Sequence, residues 1–398
     1  MYDVIVVGAR CAGSPTAMLL ARKGYRVLLV DRASFPSDTM STHFIHPPGV
    51  ARLKSWGLLE QVRTSNCPLI SKLRIDVGPF ALTGSPPPVD GIAEIYAPRR
   101  TVLDKILVDA AAAAGAEVRE GFRVQKILME EDRVVGVCGR AADGSTVAEE
   151  ASIVVGADGM RSLVAETLQA TEYNARPALT CSYYTYWSGV SIDGAELYPR
   201  EGRMIIAFPT NDELVCTFFQ WPNEKFHEFR TDVEGNFLKT IELAPGLAER
   251  IRQGKREANF MGTGVLPNFF RKPYGAGWAL VGDAGYHKDP KGAQGITDAF
   301  RDAELLAEAI DTGLSERRTL DEALANYERK RNEAAIPWYE LNLQFARLEP
   351  PPPHMQQLFA ALRGNKMEAD RFIGTITGTV PVPEFFAPEN IQRIVEAA

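Results

Sequence analysis

The residues best placed to do chemistry begin at the eighth position of the chain. A glycine-rich segment, Gly8-Ala9-Arg10-Cys11-Ala12-Gly13, follows a short β-branched run and precedes a helical stretch. Gly8 permits a tight strand-to-helix turn, and Gly13 allows the helix to pack close to the strand. The start of the helix offers free N–H groups and the positive end of its dipole to an anion. The segment therefore predicts a pyrophosphate site formed by Gly8, Arg10, Cys11, Ala12 and Gly13.

A carboxylate at the end of the next predicted strand, residues 26–30, supplies the second part of such a site. Asp31 lies 23 residues after Gly8. An acidic residue at about this spacing accepts hydrogen bonds from the ribose diol of a dinucleotide. Arg10 replaces the middle glycine of the GxGxxG pattern, and we expect its side chain to turn outward and pair with the phosphates. Arg32, directly after Asp31, is also predicted to contact the cofactor.

Three later segments carry further glycine and carboxylate patterns. They are 155–162 (VGADGMRS), 280–284 (LVGDA) and 290–297 (PKGAQGIT). Gly282 lets the backbone beside Asp283 approach a ligand closely. The Asp283 carboxylate is a good acceptor for hydroxyl groups. The glycine-rich turn at 292–295 opens a helix whose N-terminal N–H groups would stabilise an anion.

The order and spacing of these motifs resemble the para-hydroxybenzoate hydroxylase superfamily. That superfamily includes single-component flavin monooxygenases, flavin-dependent halogenases and geranylgeranyl reductases. The resemblance implies that FAD is the cofactor. It implies that Asp31 binds the adenosine ribose, Arg100 reaches the pyrophosphate, Val124 lines the adenine pocket, and Asp283 holds the ribityl chain. It also implies that the isoalloxazine edge is wrapped by Gly292, Ala293, Gln294, Gly295 and Ile296. Asp158 would belong to the DG motif of that superfamily and Gly282 to its GD motif.

The elements that must position these residues predict a mixed α/β fold. A Rossmann-like FAD-binding domain of the glutathione reductase type would comprise residues 1–75, 98–176 and 272–335. An inserted antiparallel β-sheet substrate domain would comprise 76–97 and 177–271, where aromatic residues alternate with polar ones. Residues 336–398 would form a C-terminal helical cap. A helix is predicted over 101–115 and another over 297–310, with an antiparallel meander between 118 and 155.

Composition excludes several classes of function. The net charge of −7 argues against binding to nucleic acid or anionic lipid. No run of 18 apolar residues is present, so no transmembrane segment is expected. Five widely spaced cysteines without a CxxC pair predict no disulfide and no metal site, and they favour a soluble, cytoplasmic protein. Lys288 and the charged run 328–331 are predicted to be solvated.

The resemblance leaves several reactions open. The first hypothesis is a monooxygenase in which NAD(P)H reduces the flavin transiently and a flavin C4a-hydroperoxide hydroxylates a small hydrophobic or aromatic substrate. The alternative is a reductase of prenyl double bonds, although Ser41-Thr42-His43 stands where that group often has a cysteine. A halogenase is less favoured because no WxWxIP segment occurs. No second glycine fingerprint in a strand context occurs, so the reductant either enters transiently at the flavin or arrives from a separate reductase as partner.

Candidate catalytic residues follow from imidazole chemistry and strand geometry. Histidine titrates near neutrality, which makes His43, His46 and His287 candidate proton carriers. His43 is favoured because its loop passes near the flavin in the proteins that the chain resembles. Tyr184 and Tyr186 would share one face of a strand and so could contact the substrate together. The predicted catalytic residues are His43, Tyr184 and His287.

Overall fold

The structure is a computed structural model that describes residues 1–397. Its strands are β1 (Tyr2–Val7), β2 (Val27–Val30), β3 (Leu73–Asp76), β4 (Ala81–Gly84), β5 (Glu117–Arg119), β6 (Arg123–Glu130), β7 (Arg133–Arg140), β8 (Thr146–Gly156), β9 (Glu172–Arg176), β10 (Thr180–Ser188), β11 (Ala195–Arg200), β12 (Arg203–Pro209), β13 (Val215–Pro222), β14 (Lys255–Arg256), β15 (Met261–Thr263), β16 (Asn268–Arg271), β17 (Tyr274–Gly275), β18 (Trp278–Leu280) and β19 (Tyr286–His287). Its helices are α1 (Gly13–Arg22), α2 (Pro47–Ser55), α3 (Leu59–Arg63), α4 (Arg100–Ala113), α5 (Leu163–Thr167), α6 (Phe226–Thr231), α7 (Val233–Ile241), α8 (Pro245–Gln253), α9 (Gly295–Leu314), α10 (Leu320–Ala346), α11 (Pro353–Arg363), α12 (Lys366–Thr377), α13 (Val382–Phe385) and α14 (Pro388–Glu396).

The first sheet is a mainly parallel sheet with the order β17-β18-β8-β1-β2-β5. Val4 and Val6 of β1 belong to the core on one face, where α1, α4 and α9 pack, whereas Ile5 and Val7 belong to the core on the other face. A strand buried on both faces reads as a continuous apolar run, as β1 does. The predicted meander corresponds to β6, β7 and β8, which pair in antiparallel order and cover the second face.

A second sheet, with the order β14-β10-β13-β12-β11-β3-β4, carries the aromatic segment. Its pairs are antiparallel apart from β11 with β3, which run parallel. The predicted boundary between residues 75 and 76 therefore falls inside β3. Helices α6–α8 follow β13 and were not predicted. Phe237, Ile241, Leu247 and Ile251 of α7 and α8 cover the outer face of the sheet, which explains their apolar spacing.

The C-terminal region is helical, and it begins inside a long helix. The 27 residues of α10 run across the predicted boundary at 335/336 without interruption, with Pro337 inside the helix. Helices α11 to α14 then pack on the inner face of the second sheet through residues such as Leu358, Phe372 and Phe385. Among residues 1–397, no helix is long and apolar enough to cross a membrane.

Candidate functional site

The first glycine turn joins β1 to α1 beneath the end of β8. Gly8 has a φ of +105°, and a side chain there would collide with the carbonyl of Ala157. A side chain at Gly13 would collide with the carbonyl of Gly8. Both positions therefore require glycine, as the sequence pattern predicts. Ser14 and Thr16 donate their N–H groups to protein carbonyls and Pro15 has none, so the N–H groups left for a pyrophosphate are those of residues 10–13.

Asp31 braces this turn from the end of β2. Its Oδ2 accepts a hydrogen bond from the N–H of Ala9 at 2.7 Å, and its Oδ1 accepts one from the N–H of Ala33 at 2.8 Å. Each carboxylate oxygen has a second lone pair, so both can still accept a bond from a ribose hydroxyl. Arg32 beside it is exposed.

Ser14 is a polar residue of the turn that sequence reasoning missed. It lies in the first turn of α1, is completely buried, and its Oγ has no hydrogen-bond partner among residues 1–397. A buried hydroxyl without a partner is rare and indicates a group that a ligand satisfies. Its position directly after Gly13 was the available signal, because a hydroxyl there stands beside the predicted phosphates.

Three residues that are predicted to contact the cofactor converge on Asp104, which the sequence did not single out. The Arg100 guanidinium donates two hydrogen bonds of 3.0 Å to the Asp104 carboxylate. Arg10 forms an ion pair with Asp104 at 2.5 Å and also donates to the hydroxyl of Ser37 at 2.8 Å. Arg10 is thus already paired with protein groups, and its predicted contact with phosphates stays a prediction. The Cys11 thiol donates to Asp104 at 3.4 Å, and burial raises the pKa of Cys11 well above its usual range. Cys11 is therefore a neutral thiol.

The second glycine turn lies directly against the first. Gly282 has a φ of +62°, and a Cβ atom built on it would lie 2.7 Å from the Cβ of Ala12. Asp283 follows and is exposed, so its carboxylate is available to a ligand. Burial opposes the charge on Arg100, but the negative charges around it, including those of Asp104 and Asp283, raise its pKa above the usual range. Arg100 therefore lies close enough to the second turn to be influenced by the Asp283 carboxylate.

The loop before α9 presents backbone groups at the other end of the site. Ala293 adopts a left-handed conformation with a φ of +50°. Gly295, the first residue of α9, is exposed, and a Cβ built on it would meet nothing within 4 Å. At Gly292 the space of a side chain is filled by the indole of Trp338. The N–H groups of residues 291–293 are bonded within the protein, so the N–H groups open to an anion are those at the start of the 20-residue helix α9.

His46 and Gln294 fix this loop in place. The Nε2 of His46 donates to the carbonyl of Gly292 at 3.1 Å, because a carbonyl can only accept, and the N–H of His46 donates to the Oγ1 of Thr297 at 3.0 Å. Burial lowers the pKa of His46 to about 4, so the ring is neutral and its Nδ1 is a buried acceptor without a partner in residues 1–397. The side-chain amide of Gln294 donates to the carbonyl of Ile376 at 2.8 Å, which ties the loop to the C-terminal helices.

His43 lies in an aromatic cluster on the inner face of the second sheet. Its Nε2 is 2.7 Å from the hydroxyl of Tyr186, and its ring centroid lies 5.5 Å from that of Tyr184 and 5.9 Å from that of Phe208. Burial, assisted by the charges of Arg100 and Arg99, lowers the pKa of His43 to about 3. Tyr184 and Tyr186 share one face of β10, as the strand period predicts.

The remaining predicted site residues lie outside this cluster or already hold structural partners. His287 is held in β19 by the carbonyl of Pro267 and stacks on Phe269. Val124 is half-buried in β6. Asp158 accepts hydrogen bonds from the N–H of Leu163 at 2.7 Å and from the hydroxyl of Ser162, so it organises the start of α5.

The predictions of solvation were wrong for Lys288 and, within the run 328–331, for Arg331, whereas Arg329 and Lys330 are exposed as predicted. Lys288 is 8% exposed and forms a buried ion pair with Asp298, which also binds Arg301 at 2.7 Å. Arg331 of α10 is completely buried, and its guanidinium donates to the hydroxyl of Tyr173 at 2.7 Å and to the carbonyl of Gly285 at 3.3 Å. Both cations fasten the segment after Gly282 to the helices beneath it. Buried charges of this kind need such partners.

The two glycine turns and the groups around them fit FAD. The chain also resembles known FAD-binding proteins. Residues 1–227, more than half of the chain, match the family described as FAD binding domain. A digeranylgeranylglycerophospholipid reductase of Methanopyrus kandleri is 27% identical over 369 residues, covering 88% of this chain and 91% of the relative. The 6-methylpretetramide 4-monooxygenase of Streptomyces rimosus is 27% identical over 334 residues, covering 80% and 77%.

The fold is also that of a solved flavoenzyme. A myxobacterial chondrochloren halogenase, described as an FAD-dependent halogenase, superposes with a TM-score of 0.82 at 21% identity, covering 100% of this chain and 96% of the other. This likeness confirms the predicted mixed α/β fold class, and the match to the FAD binding domain confirms FAD as the cofactor. The chain belongs to the FAD-binding-domain family and is an FAD-dependent oxidoreductase.

Proposed function

We propose that the protein is a monooxygenase that hydroxylates a small hydrophobic or aromatic molecule with NAD(P)H as reductant. The observation that carries this proposal is the position of His43 and Tyr186. They form a hydrogen-bonded polar pair at 2.7 Å beside the hydrophobic cluster of the inner sheet face, to which Tyr186 and Ala293 of the loop before α9 both belong. Such a pair suits a substrate that carries a hydroxyl group on an apolar skeleton.

The apolar surroundings of the pair come from three parts of the chain. One continuous hydrophobic cluster contains inner-face residues of the second sheet, Ala293 of the loop before α9, and residues of the C-terminal helices. The sheet contributes Tyr184, Tyr186, Met204, Ile206, Phe208 and Phe218. Oxygen chemistry at a reduced cofactor requires water to be excluded. These elements would form an apolar enclosure around a bound substrate, which would supply that exclusion and favour an apolar substrate.

The protonation state of the pair defines what it can do. With a pKa of about 3, the His43 imidazole is neutral at pH 7. Burial raises the pKa of the Tyr186 phenol well above its usual range, so that hydroxyl stays protonated. The Nδ1 of His43 is buried without a partner among residues 1–397 and can exchange a hydrogen bond with a substrate hydroxyl. We infer that His43 and Tyr186 orient this hydroxyl and hold its proton, with Tyr184 as an apolar wall.

The residues of the two glycine turns would hold FAD. The turn Gly8–Gly13 with Ser14 would bind the pyrophosphate, Asp31 the ribose, Arg100 and Asp283 the region between, and 292–296 the edge of the ring system. Bound FAD would supply the two-electron redox chemistry and the activation of oxygen. The chain's own contribution is to position the ring beside the substrate and to stabilise negative charge on it with the start of α9.

A reductase of prenyl double bonds is the second candidate function. The relative from Methanopyrus kandleri, a digeranylgeranylglycerophospholipid reductase, supports it through the length over which the two chains align. The apolar enclosure suits a prenyl chain as well. The polar pair favours the monooxygenase, because a carbon–carbon double bond offers nothing for His43 and Tyr186 to bind. A separate reductase as partner and a cytoplasmic location stay predictions.

The test uses the FAD-loaded protein with NADH or NADPH under ¹⁸O₂. Phenol, 2-naphthol and 1,8-dihydroxyanthraquinone are offered as hydroxyl-bearing probes, and geranylgeraniol as the prenyl probe. The proposal expects at least one aromatic probe to stimulate NAD(P)H oxidation and to yield a product that carries ¹⁸O. Saturation of geranylgeraniol that proceeds without oxygen, with no labelled product from any aromatic probe, would establish the reductase instead.

A matched pair of variants tests the polar pair. Tyr186→Phe removes the hydroxyl that contacts His43, and we expect it to lower kcat on the order of 100-fold. Tyr183→Phe makes the same chemical change one residue earlier on β10, where the side chain packs on the outer face against Phe229. Tyr183→Phe should leave kcat within about twofold, because the Tyr183 side chain lies on the opposite face of β10 from His43 and Tyr186. Equal losses in both variants would contradict the role of the pair.

A further inference from the structure

Arg99 lies at the rim of the aromatic cluster with its hydrogen-bonding capacity almost unused. Its guanidinium stacks on the ring of Tyr186, with 4.7 Å between its central carbon and the ring centroid. Within residues 1–397 its Nε is buried without a hydrogen-bond partner. The nearest carboxylates are those of Asp38 at 3.7 Å and Asp212 at 4.0 Å, both beyond hydrogen-bond distance. A guanidinium in this state has donors to offer to a ligand.

The guanidinium of the neighbouring arginine is hydrogen-bonded to a carboxylate, unlike that of Arg99. Arg100, one position later, directs its guanidinium to Asp104 through two bonds of 3.0 Å and is fully engaged. Arg99 and Arg100 both lower the pKa of His43 by their charge, so the imidazole lies close to both cations. One arginine therefore serves the first glycine turn, while the other faces the aromatic cluster.

The backbone of Arg99 is held rigidly at this place. Its N–H donates to the Oδ1 of Asn211 at 2.8 Å, and the side-chain amide of Asn211 donates in turn to the carbonyl of Ser65 at 2.6 Å and to the Oδ1 of Asn66 at 3.1 Å. Asn211 lies in the turn between β12 and β13, so this network joins the start of α4 to the second sheet. The guanidinium is thus preorganised by stacking above and by a fixed backbone below.

We propose that Arg99 is the residue that anchors the substrate and that the substrate carries an acidic oxygen group, a carboxylate or an acidic enol, on its apolar skeleton. The planar fork of arginine matches such a group in two parallel hydrogen bonds. Asp38 and Asp212 are far enough away to leave the fork open, yet near enough to compete with the ligand. This inference rests on the proposed function, since it names the class of molecule that the same site would accept.

The test measures binding without turnover. FAD-loaded protein is titrated with benzoate, 2-naphthoate, anthracene-2-carboxylate and tetradecanoate, each beside its own neutral amide, and the flavin absorbance is followed. In the wild type at least one acid should bind at least about tenfold more tightly than its amide, as a charge-assisted hydrogen bond implies. If no acid of the series is preferred over its amide, the proposal is overturned. Because no oxygen and no NAD(P)H are present, failure of the monooxygenase reaction leaves this readout unaffected.

Three variants separate recognition from structure. Arg99→Gln should abolish the preference for the acid while the FAD content stays the same, and Arg99→Lys should restore part of it. Arg203→Gln is the matched control, because Arg203 also stacks on an aromatic ring, that of Trp221 at 3.4 Å, but on the outer face of the sheet. It should keep the full preference.

A fourth variant tests the account even if Arg99 cannot be replaced without unfolding. Asp212→Asn removes a competing carboxylate that is 61% exposed, and asparagine tolerates the left-handed backbone at this position. It should tighten binding of the preferred acid by about twofold or more and leave its amide unchanged. An unchanged preference in Arg99→Gln, or weaker acid binding in Asp212→Asn, would contradict the proposal.

Discussion

Gly282 and Ala12 lie in contact although 270 positions separate them in the chain. A Cβ atom on Gly282 would lie 2.7 Å from the Cβ of Ala12, which is closer than two such atoms can approach. The turn after β1 and the turn after β18 are thus one continuous surface at the carboxyl edge of the parallel sheet. Ligands of open α/β sheets bind at this edge. The contact explains how two motifs so far apart in sequence can hold one cofactor.

The first prediction concerns this contact. Gly282→Ala should lower the free energy of unfolding by about 2–4 kcal/mol, because it adds overpacking to an unfavourable positive φ. It should also weaken FAD binding, since the two turns must move apart. Gly24→Ala is the control: Gly24 has a φ of +93° but nothing within 4 Å of its Cβ position. It should cost only about 1–2 kcal/mol and leave FAD affinity unchanged. Urea denaturation and flavin fluorescence measure the two quantities, and similar FAD affinities in both variants would contradict the account.

The second prediction concerns the buried ion pair of Lys288 and Asp298. Lys288→Met leaves Asp298 with Arg301 as its remaining cation, and we expect a loss of about 2–4 kcal/mol in the free energy of unfolding. Lys105→Met removes one partner of the exposed pair with Asp109 and should change stability by less than about 0.5 kcal/mol. A loss at position 288 as small as that at position 105 would show that Lys288 is solvated after all.

The third prediction follows from the lowered pKa of His46. An unfolded histidine takes up a proton below pH 6.5, whereas His46 in the folded protein takes it up only near pH 4. Between these values the unfolded state binds more protons, so stability falls as the pH falls through this window. The contribution of His46 reaches about 3 kcal/mol at most.

A variant isolates that contribution. His46→Gln keeps an N–H donor for the carbonyl of Gly292 and removes the titratable group. Its stability should therefore decline less steeply than that of the wild type between pH 6.5 and about 4, when both are followed by urea denaturation at several pH values. Parallel curves would mean that His46 is not held in the neutral form by burial.

The parts of the site that depend on local sequence could be predicted. The turn Gly8–Gly13, the carboxylate of Asp31 and the strand and helix around them follow from spacing within about thirty residues. The parts that depend on tertiary contacts could not. Lys288 reads as a solvated charge because nothing in its own segment shows that Asp298 and the helix beneath will bury it.

The boundaries of the inserted sheet and of the C-terminal cap also depend on tertiary contacts, so local sequence could not predict them. The start of β3 pairs with β11, more than a hundred residues later, so no local pattern marks Leu73 as part of the second sheet. Polar and apolar residues are spread evenly along helix α10, so the sequence does not indicate whether a helix ends or continues at residue 336. Arg99 differs from Arg100 only in what the folded chain brings near it, and its stacking on Tyr186 depends on strand β10.

The most direct test of the central claim is the stoichiometric binding of FAD to the flavin-free protein. Absorbance and fluorescence titrations should show saturable uptake of about one FAD per chain by the wild type. Asp283→Ala should lose most of that affinity because it removes the exposed carboxylate of the second turn. Asp109→Ala removes an exposed carboxylate of helix α4 and should keep the affinity. Absence of any saturable uptake by the wild type, or full FAD occupancy in Asp283→Ala, would contradict the account.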